Sequence, residues 1–308
     1  MTTFAHAHHA RTSNPVTSPS RISTMPIASH LSALVARLWA TDRPLTGSGL
    51  FLLALLVPIA FGLLLDGREI GGAPAWLKPA KFALSTGLYS LTLAWVLTYL
   101  SDWPRARRFV GRMTAAVMVV EVAIIALQAA RGTTSHFNVG TPVDAILFSI
   151  MGLAIFTQTA SSVAVAAALW RQRFADRALG WALRLGMTMT IAGALTGGLM
   201  TRPTEVQLAE ASATGRMTLA GAHTVGAPDG GPGLPVTGWS TQHGDLRVAH
   251  FVGLHALQVL PILTLVAFRG RRDRVRLQLT LAAAAVYVLV FVTLLVQALR
   301  GVPLVALG

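Results

Sequence analysis

The chain has 308 residues, of which 53% are apolar and 12% charged, and 25 Lys and Arg against 12 Asp and Glu leave a formal charge of +13. A soluble domain carries about 25% charged residues, so this balance, with a mean hydropathy of +0.60, excludes an ordinary water-soluble enzyme. The absence of cysteine excludes disulfide-built domains, thiol nucleophiles and iron–sulfur clusters, and no soluble domain is present to offer nucleic acid a basic face.

Residues 1–46 form a compositional zone rich in Ser, Thr, Pro, His and Arg, with no acidic residue before Asp42. They are expected to be a disordered or interfacial tail, with Leu31 to Ala40 as a short helix placing Arg37 and Trp39 at the headgroups. His6, His8 and His9 belong to that tail. No apolar run follows an N-terminal basic cluster, so a cleaved secretory signal is not expected, although an acidic-poor start also suits a transit peptide. Met25 is a second candidate start.

Residues 47–300 then read as a transmembrane domain. A helix needs about 20 mostly apolar residues to cross roughly 30 Å of hydrocarbon, and seven segments qualify: Gly47 to Leu65, Phe82 to Leu100, Phe109 to Ala130, Val143 to Leu169, Leu179 to Leu199, Val248 to Phe268 and Leu277 to Leu299. They are continuous Leu, Ala and Val runs, not the short alternating segments of a barrel. The expected class is therefore all-α, a polytopic membrane bundle of about seven transmembrane helices, with residues 301–308 as a tail. Pro58 and Pro261 are expected to kink the first and sixth spans. Gly193 and Gly197, at GxxxG spacing in the fifth, are expected to face a neighbouring helix.

Arginine sets the expected orientation, because short cytoplasmic loops retain Lys and Arg. Arg105, Arg107, Arg108 and Arg112 follow the second span, Arg171, Arg173 and Arg177 the fourth, and Arg269, Arg271, Arg272, Arg274 and Arg276 the sixth. These loops are placed in the cytoplasm, the N-terminus inside and the C-terminus outside, in a bacterial-type plasma membrane. The long connection 200–247, with its Gly and Pro run, becomes an outer loop, read either as an irregular lid or as a tolerated insertion.

An ionisable group in mid-bilayer costs on the order of 3 kcal/mol or more, so it faces the bundle interior. Glu121 sits mid-span, and Thr114, Glu121 and Gln128 share one stripe at seven-residue spacing, with Arg131 near its end. The sixth span opens on His243, Asp245, Arg247, His250, His255 and Gln258. His255 and Gln258 share a face, whereas His250 and His255 lie about 140° apart around the helix and cannot grip one metal unaided. The second span adds Lys81, Ser85, Tyr89 and Thr92, and Lys78 and Lys81 are the chain's only lysines. Counting about 1.5 Å per residue, Glu121 and His255 lie roughly level in the outer half of the bundle.

These residues predict an outward-facing polar site: Glu121, His255, Lys81 and Tyr89 as catalytic groups, and Gln128, Arg131, Asn138, Arg202 and Gln258 as substrate contacts. His136, His243, His250 and His255 are the candidate donors for a transition metal or haem. The leading function is a membrane enzyme, metal- or haem-assisted, acting on a small polar or amphipathic substrate. A proton-coupled transporter relaying through Glu121 and His255, and a non-catalytic assembly subunit, are the alternatives. Retinal proteins are excluded, since the last span has no lysine for a Schiff base. The histidine spacing does not reproduce helix-borne zinc hydrolases, nor facing haem ligands.

Overall fold

A computed structural model describes residues 27–306; the tail histidines and Met25 lie outside the described residues. The described chain is predominantly helical. Helix α1 is Ile27–Thr41, and a first membrane-length segment follows as α2 (Arg43–Ala54) and α3 (Leu56–Leu65). Next come α4 (Leu77–Leu97), α5 (Pro104–Ala130), α6 (Pro142–Arg171) and α7 (Arg177–Met200), then a short α8 (Glu205–Thr214). The chain re-enters the bundle as α9 (Leu246–Leu254) and α10 (Ala256–Ile262), which ends in a π-helical turn at Leu263–Ala267, and closes with α11 (Asp273–Leu299). Among the described residues six helical segments are long and apolar enough to cross a membrane, and α9 with α10 makes a seventh if that bent pair is one span.

Local chemistry accounts for the boundaries. Asp42 caps α2 by accepting from the Leu45 amide at 2.9 Å, Thr141 caps α6 through the Asp144 amide, and Asp176 caps α7 through the Leu179 amide. Pro104 and Pro142 open α5 and α6, where a missing N–H leaves no bond unmade. At the far end of α6, Arg184 donates to the carbonyls of Leu169 (3.0 Å) and Gln172 (2.7 Å), covering the end of the helix. The first span breaks at Leu55. Pro58 explains the place, because its ring meets the carbonyl four residues back, that of Ala54.

The sixth span departs from expectation. Its 48° bend falls at the break between Leu254 and Ala256, so the bend is at His255 and not at Pro261, which lies inside α10. The cause is side-chain insertion into the helical ladder. Thr190 of α7 donates to the Leu254 carbonyl and Tyr287 of α11 to that of Val252, and the Gln258 amide, deprived of Leu254, turns to His255 at 3.0 Å.

Small residues let the helices close up. Gly49 of α2 and Gly87 of α4 face each other, each so close that an added Cβ would stand 3.1 Å from the other's carbonyl. A Cβ on Gly193 would lie 2.5 Å from the Gly253 carbonyl carbon, so α7 and α9 touch backbone to backbone. One half of the bundle, toward the arginine-bearing loops, is filled by Leu45, Leu93, Leu97, Leu169, Leu183, Met187 and Leu257. The opposite end is covered by the connections 66–76, 131–141 and 201–245. A two-residue hairpin (β1 Glu69–Ile70, β2 Ala73–Pro74) sits there, and β3 (Thr224–Val225) pairs with β4 (Gly244–Asp245). We call these the arginine end and the cap end.

Residues 200–247 form a folded cap. α8 carries a capping box between Thr204 and Gln207, and Leu219 bridges to Asn138. Asp229 accepts the amides of His223 and Thr224, and buried Asp245 accepts the Ser240 amide and the Arg247 guanidinium, the latter at 2.6 Å.

Candidate functional site

The polar groups of the cap end fall into two sets, those already used by the fold and those left open. Glu121, on the buried face of α5, is the clearest of the second kind. It is 2% exposed, neither carboxylate oxygen has a hydrogen-bond partner, and the charge it senses is that of Lys78. Lys78, in the first turn of α4, is partly exposed and makes no hydrogen bond or ion pair among the described residues; its ammonium stands 6.0 Å from the centre of the Phe82 ring and also feels Arg247, Lys81 and Asp229. A buried polar group without a partner costs about 1–3 kcal/mol, a cost that falls on Glu121.

Three imidazoles of the cap end are each anchored at Nδ1. His136 is 3.1 Å from the Ser135 hydroxyl and packs beside Phe82, with ring centres 5.5 Å apart. His223 pairs with Asp229 at 2.7 Å. His250 meets the Gly193 carbonyl at 2.7 Å, which requires the proton on Nδ1 and leaves Nε2 with a lone pair. In all three, Nε2 has no hydrogen-bond partner among the described residues. They share a field: His136 senses Lys78, His223 and His250. In the loops, burial holds His136 well below the ordinary imidazole value, and the positive charge of Lys78 adds to it. Burial likewise pushes His223 down, against the pull of Asp229. Both rings are therefore neutral near pH 7, able to accept a proton or a hydrogen bond.

Glu121 and His255 share no hydrogen bond and no ion pair; Glu121 senses the charge of Lys78, and the His255 ring lies 4.2 Å from that of Phe251, itself packed on Trp239. The four expected metal donors also part company. His136 lies in the 131–141 connection, His250 in α9 and His255 at the helix bend, and His243 lines a cavity of about 370 Å³ in the cap with Asp229, Ser240 and Arg247. Among the described residues no three His, Asp or Glu are arranged to hold a metal ion. The donor set does not fit a metal centre.

Other expected site residues are engaged in the fold. Lys81 donates to the carbonyls of Val236 and Thr237, both at 3.2 Å, and so ties the cap to α4. Tyr89 accepts from Gln158 at 3.2 Å and lies 3.4 Å from Ser162, bracing α4 against α6. Gln128 donates to Asp144 at 2.9 Å, and Arg131 to Asp144 at 2.6 Å and to Gln128. That clamp joins the ends of α5 and α6. Asn138 holds its own turn through Thr133 and Gly140. Arg202 is exposed with no side-chain partner, and the Gln258 carbonyl oxygen is buried without one.

Lys78 and His223, which the expected site does not include, join the polar groups of the cap end. The signal for Lys78 was its spacing: the only two lysines stand three residues apart, one turn of α4. His223 carried no local signal, because 22 residues separate it from α9. Comparison with known protein families, curated proteins and solved structures gives no match to this chain.

Proposed function

We propose that this integral membrane protein binds a small polar or amphipathic ligand in a one-sided chamber beneath the cap and exchanges a proton with it through Glu121. Lys78 supplies a positive charge for an anionic or carbonyl group of the ligand, and the Nε2 atoms of His136, His223 and His250 accept its donors. The observation that carries this reading is the Glu121 carboxyl, buried with both oxygens unpartnered and within the field of the Lys78 ammonium. A group kept only to lock helices together would be expected to have a partner, as Gln128 and Asp144 do. With the arginine loops in the cytoplasm, the chamber opens on the other side of the membrane. The apolar half at the arginine end favours this one-sided site over a transport path.

The test is native mass spectrometry of the protein purified in mild detergent, beside Glu121→Gln and Lys78→Met. The wild type is expected to carry a small molecule that both variants lose while their unfolding midpoints stay within a few degrees. An empty wild type, or retention of the molecule in both variants, overturns the reading.

A further inference from the structure

At the opposite end, we propose that Arg105, Arg108 and Arg112 form a binding site for the headgroup of an anionic phospholipid, with its acyl chain lying along α5. The three arginines recur at three- and four-residue spacing, so they share one face of the helix. Together with Phe109 and Met113 they line an open surface cavity of about 550 Å³. Among the described residues Arg105 and Arg108 make no hydrogen bond or ion pair, and Arg112 shares with Arg107 only the field of Asp42, the buried cap of α2. Guanidinium groups fork naturally onto phosphate oxygens, and basic pockets between membrane helices suit lipid headgroups.

What selects a lipid over a soluble anion is the surface that continues from the arginines. Phe109 is 65% exposed, and along the same face Ala116, Val120, Ala123 and Leu127 are exposed in turn down the length of α5. Glu121 lies on the opposite, buried face. The cations therefore stand at the head of a hydrocarbon-facing strip. A phosphate bound there has its acyl chains directed onto that strip, and free phosphate has no use for it.

The experiment measures binding of phosphatidylglycerol, phosphatidylcholine of the same chains, and inorganic phosphate to the full-length protein in detergent by native mass spectrometry. Four proteins are compared: wild type, R105Q/R108Q/R112Q, the charge-keeping R105K/R108K/R112K, and R271Q/R272Q/R274Q, which removes three charges from another loop of the same end. Each arginine near a membrane surface is worth roughly a factor of five in binding, so the first triple is expected to lose about a hundredfold for phosphatidylglycerol. The lysine triple is expected to lose about tenfold through the missing forks, and the R271Q/R272Q/R274Q protein to bind as the wild type does. Equal loss in the two glutamine triples, or no loss in the lysine triple, reduces the effect to diffuse surface charge and overturns the proposal. So does equal binding of phosphatidylcholine, or displacement of the lipid by inorganic phosphate. Should the glutamine triple not fold, the lysine triple against wild type decides alone.

Discussion

A carboxyl enclosed without hydrogen-bond partners, as Glu121 is, is a liability to the fold. In the ligand-free protein, Glu121→Leu is therefore expected to raise stability by about 1–3 kcal/mol, read as a higher unfolding midpoint in detergent; a fall shows that Glu121 is a brace. The loop pair His223–Asp229 makes a second residue-scale prediction. His223 is held below its ordinary value of 6.5 by burial, so the folded loop binds fewer protons than the unfolded one. Its contribution is complete above pH 6.5 and declines as the pH falls below that value. Although burial opposes it, the bond to His223 and the amides of His223 and Thr224 pull Asp229 below its ordinary 3.8, so its share persists until stronger acid. Protection of the amides across 223–245, after division by the intrinsic exchange rate at each pH, is expected to fall on going from pH 7 to pH 5, and His223→Gln to flatten that response. Protection that rises in acid contradicts the assignment of a neutral, partly buried ring.

Among the helices, glycine spacing and glycine contact are different things. Gly193 and Gly197 both belong to the expected GxxxG face, yet a Cβ on Gly193 strikes the backbone of α9, one on Gly197 comes 3.3 Å from the His250 ring, and one on neighbouring Gly198 meets nothing within 4 Å. Thermal unfolding should rank the alanine variants accordingly: Gly193→Ala loses about 2–3 kcal/mol by overpacking, Gly197→Ala less, and Gly198→Ala gains a few tenths up to about 1 kcal/mol from helix propensity. Equal effects at 193 and 198 refute the backbone contact. The span positions were legible because hydropathy is a local property of the chain. Pro58 was equally legible, since its steric demand reaches only four residues back. The bend at His255 was not, because Thr190 and Tyr287, the side chains that open it, lie 64 and 35 residues from the carbonyls they take.

At the scale of the whole molecule, the cap is a folded layer fastened to the bundle from several sides. Lys81 holds Val236 and Thr237, the first hairpin approaches Gly230, and Arg68 reaches the Ala130 carbonyl at 3.1 Å. Val236 accepts that tie in a left-handed conformation, φ 64°, which a β-branched residue adopts only under constraint. Lys81→Met is expected to free residues 232–241, read as faster limited proteolysis there with the helices unchanged; unchanged cleavage means that the tie contributes nothing. This also marks the limit of reading the candidate site from sequence. Glu121, Lys78 and the histidines announce themselves as residue types. Which of them stay unpartnered depends on a cap whose path no local pattern encodes, and for that reason Lys81, Gln128 and Arg131 looked like ligand contacts.

The leucine-filled half of the bundle has a bearing on energetics. Under the proposed function, a proton taken up at Glu121 meets the Leu-filled half on the side of the arginine loops and returns by the way it came. Such a cul-de-sac neither drains an ion gradient nor draws on one, and whatever occurs there should run equally well in a leaky vesicle and a sealed one.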